Sequence, residues 1–446
     1  MELTKKMGAV LAEETRARGA VCLLGPCVNI PRSTLGGRAF ESPSEDPTLA
    51  GHVTAAYING LEGAGVSASL KHFVCNDQEN DRNGSDSVVA PRPLREIYLR
   101  PFQIALRDSK PSSVMASYNR LNGIHVSESP ELLQGVLRKE WGFDNLIMSD
   151  WNGTYSCAEA LRAGLNIEFP GPSRWRTKTL FDQTYEVNKI TMRDIDRNVT
   201  HVLRWVQGLV KANADLVYSK EKGERTRTEC QDTDAKLLRQ IAADGIVLLK
   251  NEDNILPLFK GKVAVVGPLA KAQVYTGGGS ARLLTAWGVT PYQGLEAGKP
   301  DAVELSYELG TSTARWMPML DDNFTTEDGT RVGFDIYHYP LKPDGTMGEQ
   351  WLVHDVLTRS EVKYQDFGAP GLEDGYFGEI KTVFTSPITG EYDFGLCITG
   401  KGWFWIDDAL VWSLTDYKKK GRSFYGSGTD EQYVRVKVEK DKVSKC

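Results

Sequence analysis

The sequence predicts an α/β multidomain protein: an incomplete (β/α)8-type, TIM-like barrel over residues 1–211, a linker over 212–230, a second α/β unit over 231–315, and an antiparallel β-sandwich over 316–446. Three observations predict it. The chain has 446 residues, and domains of about 100–200 residues leave room for more than one core. Strand-like and helix-like stretches alternate from Val21 to Glu168, the pattern of βα units in a parallel sheet. From about Trp316 short runs alternate apolar and polar residues, which suits half-buried strands.

Leu3, Met7, Val10 and Leu11 recur at helical spacing until Gly19 stops the pattern. A strand follows at Val21–Leu24, then a Gly/Pro loop with Gly36-Gly37-Arg38 and Glu41. A helix opens at Ser44-Glu-Asp-Pro47 and runs to Gly60. The later strands are Ala68–Phe73, Ser113–Ser117, Asn145–Ser149 and Leu165–Glu168, with helices at Leu94–Arg107, Pro130–Trp141 and Cys157–Ala163 between them. Five strands against about eight in a closed barrel, in a chain that starts inside a helix, give the expectation that part of the barrel precedes Met1. Thr191-Met-Arg-Asp194 reads as a capping box, opening a helix with Ile195, Val199, Val202, Leu203, Val206 and Leu209 on one packing stripe.

Ala212–Cys230, dense in both charges at Lys220–Arg227, reads as the linker. The second α/β unit starts with a helix at Asp234–Ala243 and strands at Gly245–Leu249 and Val263–Val266. Its Gly277-Gly-Gly-Ser280 cluster suggests a phosphate loop only weakly, since no Lys-Ser/Thr follows and the dinucleotide glycine order is absent. The β-rich tail shows strands at Val332–Tyr339 and Phe377–Phe384, strict alternation at Tyr392, Phe394, Leu396 and Ile398, the run Trp403–Val411, and Tyr433–Val438.

Composition narrows the function. With 41% hydrophobic residues, 10 Trp, 17 Tyr and 15 Phe, the chain is folded and rich in the flat side chains that stack on polar rings. A net charge of -6 and a pI near 5.7 give no footprint for nucleic acid or an anionic membrane surface. Seven cysteines form no CxxC pair, so neither a zinc site nor a dense disulfide framework is predicted. Cys22 and Cys27 read as buried thiols. No run approaches the ~20 apolar residues of a membrane span, and the first thirty residues lack a signal-peptide pattern. Sequons at Asn83, Asn152, Asn198 and Asn323 support secretion weakly.

The chemistry collects at strand ends. In Asn145-Leu-Ile-Met-Ser-Asp-Trp151 a buried apolar strand stops in a carboxylate and an indole, and in parallel α/β folds the C-terminal strand ends line the site. Asp150 is the candidate nucleophile there; the alternative is a helix cap. Lys71-His72-Phe73 ends a second strand, Tyr118-Asn119 follows a third, and Arg38 lies after the first. Singly, Lys71 could be a structural ion pair and His72 a satisfied core histidine. Together they suit a neutral polyhydroxylated ligand, with charged groups on its hydroxyls and Trp151 against its ring.

In order and spacing, Gly36-Gly37-Arg38-Ala-Phe-Glu41 with Ser44-Glu-Asp-Pro47, Lys71-His72-Phe73-Val-Cys-Asn76, Tyr118-Asn-Arg-Leu-Asn-Gly123, Met148-Ser-Asp-Trp151 and Gly164-Leu-Asn-Ile-Glu-Phe-Pro-Gly171 resemble family 3 glycoside hydrolases, and among them the β-glucosidase branch. Val247-Leu-Leu-Lys-Asn251, Leu256-Pro-Leu258 and Val265-Val-Gly-Pro268 resemble the start of that family's α/β-sandwich domain, so the resemblance covers roughly residues 1–310. The tail with Trp405-Ile-Asp-Asp-Ala-Leu-Val411 is similar to the protective-antigen-type β-sandwich inserted into that domain in some fungal β-glucosidases.

The resemblance implies retaining hydrolysis of terminal non-reducing β-D-glucosyl residues, in cellobiose and in plant or aryl β-glucosides, without a cofactor or metal. It uses two carboxylates about 5–5.5 Å apart. Asp150 takes the nucleophile position. Arg38, Lys71, His72 and Tyr118 fall where the family binds glycone hydroxyls or steadies the nucleophile, and Trp151 where it offers an aromatic wall. Lys71 is then expected to keep Asp150 ionised in mild acid. Two departures bear on activity. The family's Asp-Gly-Pro-Asn-Gly-like run has no counterpart, and its acid/base Glu comes from beyond the inserted module. The acid/base is therefore expected to be absent from this chain, with turnover impaired; Glu168 is the local substitute, at a position to which the family gives no such role.

The implied ligands are β-glucosides and oligosaccharides, with homo-oligomerisation left open and secretion slightly favoured. The same residues admit β-xylosidase or α-L-arabinofuranosidase activity. The β-N-acetylglucosaminidase branch carries Lys-His-Phe-Pro-Gly-His-Gly, where this chain continues Val74-Cys75-Asn76. From another class, a non-catalytic carbohydrate-binding protein is the rival.

Overall fold

The computed structural model describes residues 1–220, 231–272, 274–282, 288–311, 317, 319–320, 323–357, 360, 362, 369–373, 375–416, 421 and 428–446. Most of the predicted linker's charged stretch, Cys230 and the predicted boundary at Trp316 lie outside these residues. The chain forms two compact units, one of Met1–Leu258 with Val274–Gly288 and the other of Phe259–Gln273 with Val289–Cys446.

The first unit is built on four parallel strands in the order β1 (Cys22–Leu23), β2 (Ser67–Phe73), β3 (Ser113–Ala116) and β4 (Leu146–Ser149). Register is set by Cys22 opposite Ser67, Ser69 opposite Ser113, and Ser113 opposite Leu146. All of β2, β3 and β4 is buried, including the polar Ser67, Ser69, Lys71 and His72 of β2, as expected of a parallel sheet covered on both faces. Helix Glu2–Ala17 packs against helix Pro47–Gly63. The contact is close because a side chain on Gly8 or Gly60 would strike the other helix's backbone. Asp46 caps the second helix, accepting from the amides of Thr48 and Leu49 at 2.7 and 3.1 Å, with Pro47 in the first turn.

Three predictions need correction here. Leu165–Glu168 is not a strand: it makes one parallel bridge, Ile167 to Met148. The reason is Asn166, whose side-chain oxygen accepts from the Ile147 amide at 2.7 Å, so a side chain occupies a donor that a ladder would use. Gly245–Leu249 is not a strand either. Helix Gln231–Gly245 runs to the glycine, and Ile246, Val247, Leu248 and Leu249 are exposed, with no strand paired to them among the described residues. Helix Leu94–Arg107 is interrupted: Pro101 has no amide to donate, and the chain passes through a wide turn at Leu94–Tyr98, with the Leu99 amide reaching the Leu94 carbonyl, before helix Arg100–Asp108.

Helix Met192–Ala212 opens with the predicted capping box, Thr191 and Asp194 bonding each other's backbone amides. Its stripe is only partly used. Ile195 packs on Leu161 and Ile190, and Val202 on Met148 and Leu146, whereas Val199, Leu203 and Val206 are exposed because the helix touches its unit over a narrower face than the stripe.

In the second unit Gly261–Val266 pairs in parallel with Val303–Glu308, and every other described strand is antiparallel. Phe334–Pro340 lies between Val353–Leu357 and Tyr376–Lys381. Gly390–Leu396 pairs with Gln432–Val438. The Trp403–Val411 run folds as a hairpin, Gly402–Ile406 with Ala409–Leu414, turning at Asp407 and Asp408 with φ of 48° and 65°. Phe324, Phe334, Phe384 and Phe394 form the core of these strands. On the neighbouring face Tyr337 stacks on His354 at 4.5 Å, and His354 Nε2 donates to Asp335 at 2.8 Å.

Candidate active site

The C-terminal ends of β2, β3 and β4 and the loop after β1 bring the predicted residues together. Asp150 follows β4 directly and is only 7% exposed. Its Oδ1 accepts from the Trp151 amide at 2.7 Å, while Oδ2 is buried without a hydrogen bond. Burial raises this carboxyl above its ordinary 3.8; the Trp151 amide, the Tyr118 hydroxyl, and the charges of Arg38 and Lys71 pull it back without cancelling the effect. The expected support from Lys71 is therefore present but outweighed by desolvation.

His72 is fully buried and neutral. Burial first, then the charges of Arg38, Lys71 and Arg82, holds its pKa well below 6.5. Arg38 Nη1 lies 2.7 Å from His72 Nε2, and since a guanidinium only donates, Nε2 accepts and the proton sits on Nδ1. Nδ1 lies 3.2 Å from Asn29 Oδ1. Asn29 brackets the residue further, accepting from the His72 amide at 2.8 Å and donating to its carbonyl at 2.9 Å. The 3.5 Å approach of His72 Nε2 to Asp150 Oδ2 is thus not an ion pair.

Arg38 is held in a fork by Glu41, at 2.6 and 2.8 Å. Burial works against its charge, but the bonds and charge of Glu41 win and its pKa is raised. Lys71 Nζ lies 4.0 Å from Glu41 Oε2; burial and the Arg38 charge lower its pKa, with Glu41 opposing. Tyr118 is buried, with the Arg82 guanidinium 4.3 Å from its ring centroid and Arg82 fixed by Glu79 at 2.7 Å. Trp151 stacks on Phe169 at 5.2 Å and 9°, which occupies one face of the predicted wall. Cys27 Sγ lies 3.8 Å from His72 Nδ1, and burial pushes its thiol up.

All six predicted residues, Arg38, Lys71, His72, Tyr118, Asp150 and Trp151, therefore share one rim. Glu168 is placed differently. Its oxygens accept from the backbone amides of Arg174 and Trp175, at 2.8 and 2.9 Å, and of Arg176, at 3.0 Å. Both oxygens are spent on anchoring that loop. Asn29, Glu41 and Arg82 were not among the predicted site residues; Glu41 was legible from its spacing of three after Arg38 in one turn, Asn29 and Arg82 were not. Among the described residues no group of three or more His, Cys, Asp or Glu could hold a metal ion, and no helix is long and apolar enough to cross a membrane.

Chemically, the rim offers a buried carboxylate with one unbonded oxygen, two cations, a neutral imidazole and a phenol. A carboxylate so placed can attack an electrophilic carbon, and the donors around it can hold hydroxyls.

Comparison with known proteins gives matching relatives. Residues 1–205 match the glycosyl hydrolase family 3 N terminal domain, and residues 246–409 the glycosyl hydrolase family 3 C-terminal domain. A probable β-glucosidase K of Emericella nidulans is 41% identical over 442 residues, covering 98% of this chain and 51% of the relative. A Kluyveromyces marxianus β-glucosidase crystal structure superposes with a TM-score of 0.88 at 36% identity, over 99% of this chain and 53% of that one. The same enzyme in complex with glucose gives 0.86 at 35%, over 100% and 54%. The chain spans about half the length of the curated relatives it matches.

Proposed function

The chain belongs to glycosyl hydrolase family 3, and from that premise we propose that it carries the nucleophile and glycone-binding wall of a retaining β-glucosidase acting on terminal, non-reducing β-D-glucosyl residues of oligosaccharides and aryl glucosides. The observation that carries the reading is the state of Asp150: one oxygen pinned by the Trp151 amide, the other buried and unbonded beside Arg38, Lys71 and His72. In this reading Oδ2 attacks the anomeric carbon as its bond to the aglycone oxygen breaks, the aglycone leaves with a proton taken from an acid or from water, and water later cleaves the glycosyl ester to release the sugar with retention and return the carboxylate. Arg38 and Lys71 donate to ring hydroxyls, His72 holds Arg38 in place by accepting from it while its own N–H faces Asn29, Tyr118 steadies Asp150, and Trp151 flanks the sugar.

The acid/base is not assigned to Glu41, Glu79 or Glu168. Glu41 is committed to Arg38, Glu79 to Arg82 and Glu168 to three amides. The same reading takes residues 1–211 as part of a (β/α)8-type barrel, 231–315 as the start of an α/β sandwich, and 316–446 as a protective-antigen-type β-sandwich inserted into it. The alternation of parallel strands and helices in the first unit and the antiparallel pairing in the second support it.

The test is incubation with 2,4-dinitrophenyl 2-deoxy-2-fluoro-β-D-glucoside, whose leaving group departs without a general acid, followed by peptide mass mapping. One label on the Asp150 peptide is expected, and label on another carboxylate overturns the nucleophile assignment. Brisk hydrolysis of an unactivated alkyl β-glucoside would instead place an acid/base within this chain.

A further inference from the structure

The glycine cluster that the phosphate-loop reading fails to explain has a place in the fold. Val274–Gly288 leaves the second unit's stretch of sequence and belongs to the first. There Gly277 lies against the ring of Phe40: a methyl group on Gly277 would overlap the ring atoms Cγ, Cδ1 and Cε1. The backbone at Gly277 is not in the left-handed region, unlike Gly278 and Gly279 at φ 83° and 64°. Alanine therefore suits the Gly277 backbone, and only the ring refuses it.

Phe40 sits in the middle of the turn Ala39–Glu41, next to Glu41 and two residues after Arg38. The turn is closed by the Glu41 amide on the Arg38 carbonyl at 3.0 Å, and Ser42 Oγ donates to the Asn29 carbonyl. It is thus fixed at both ends to groups that also hold His72, through Arg38 and through Asn29. Phe40 itself stays half exposed, so its ring is set by what lies on it and not by a core.

We propose that Gly277 is a positioning residue for the glycone site: its missing side chain seats the 274–282 loop on Phe40, and that contact fixes the turn holding the Arg38–Glu41 pair. The functional half of this statement rests on the β-glucosidase reading; the packing half does not. A displaced ring shifts Arg38, and small errors in the placement of donors weaken binding before they weaken chemistry.

The experiment uses the full chain with Gly277→Ala, Phe40→Ala and the double variant. Two quantities are read: labelling by the activated fluoroglucoside, split into KI and the limiting rate, and hydrogen exchange at the amides of residues 38–42. Gly277→Ala is expected to raise KI by on the order of tenfold with a nearly unchanged limiting rate, and to speed exchange at 38–42. Both effects are expected to vanish in the Phe40→Ala background, where the methyl group has room. An equal cost in both backgrounds, or none in either, overturns the proposal. If the unsubstituted chain takes no label, the β-glucosidase reading fails, and the exchange cycle alone still decides the coupling.

Discussion

Asp150 and Asp335 are buried to the same degree, each 7% exposed, and each has an imidazole within hydrogen-bond or near-contact distance. Their circumstances are opposite. Asp335 spends Oδ1 on His354 Nε2 and Oδ2 on the Glu327 amide, both at 2.8 Å. Asp150 has one oxygen bonded and one without a donor. Even the imidazoles differ: Nε2 of His354 donates a hydrogen bond to its carboxylate, whereas Nε2 of His72 accepts one from Arg38. Nearly every buried polar atom finds a partner, so a buried carboxylate is ordinary and an unbonded oxygen on one is not; among the described residues Asp150 shares that feature with Asp77 and Glu128, and it alone of the three follows β4 directly. The same types of residue make a structural knot in one unit and the proposed reactive site in the other.

Exchanging each aspartate for asparagine sharpens this contrast most. Asp150→Asn should lose fluoroglucoside labelling by on the order of 10⁴-fold, and Asp335→Asn should leave it within about twofold. Stability should move the other way. The folded-state pKa of Asp150 is raised, so its contribution is fully present below the unfolded carboxyl value and is lost as pH rises through the folded one. Above the folded value the ionised group costs stability, and there Asp150→Asn should raise the melting temperature. Asp335→Asn should lower stability by about 1–3 kcal/mol. Equal destabilisation by both changes, seen by thermal denaturation, would erase the distinction.

A smaller effect is expected from Lys71→Met. Removing a charge that pulls the Asp150 pKa down should shift the acid limb of the labelling rate to higher pH, by about one unit. His72, already neutral, should add no limb between pH 5 and 8, and a limb there that disappears in His72→Gln would contradict the tautomer assigned above. Smallest of all on chemistry is Glu168→Gln. Labelling should stay within a few-fold, while the loop at residues 171–177 becomes more accessible to protease. A turnover loss in this variant that added azide restores would make Glu168 the acid/base after all.

The strand ends were legible because a buried strand that stops in a polar residue has few explanations, and Lys71, His72, Tyr118 and Asp150 all stand at such stops. Arg38 was legible only as part of an ordered motif. Asn29 and Arg82 lie in loops without periodicity, and their roles depend on the side chains of distant segments that they face, His72 and Tyr118. Leu165–Glu168 reads as a strand because Leu165, buried completely, has a strand-like neighbourhood, while Asn166 takes the donor that pairing needs. The passage of Val274–Gly288 to the first unit is a contact between stretches far apart in sequence, and local patterns carry no record of it.

The thiol beneath His72 has a practical consequence. Cys27, Cys75 and Cys157 are buried, while Cys397 is exposed; for Cys27 and Cys75 burial pushes the thiol pKa up, and alkylating reagents attack the thiolate. Cys27 therefore stays silent for as long as the rim is intact. The rate at which it becomes modifiable is a clock for opening of the rim, readable by mass spectrometry without substrate and without turnover.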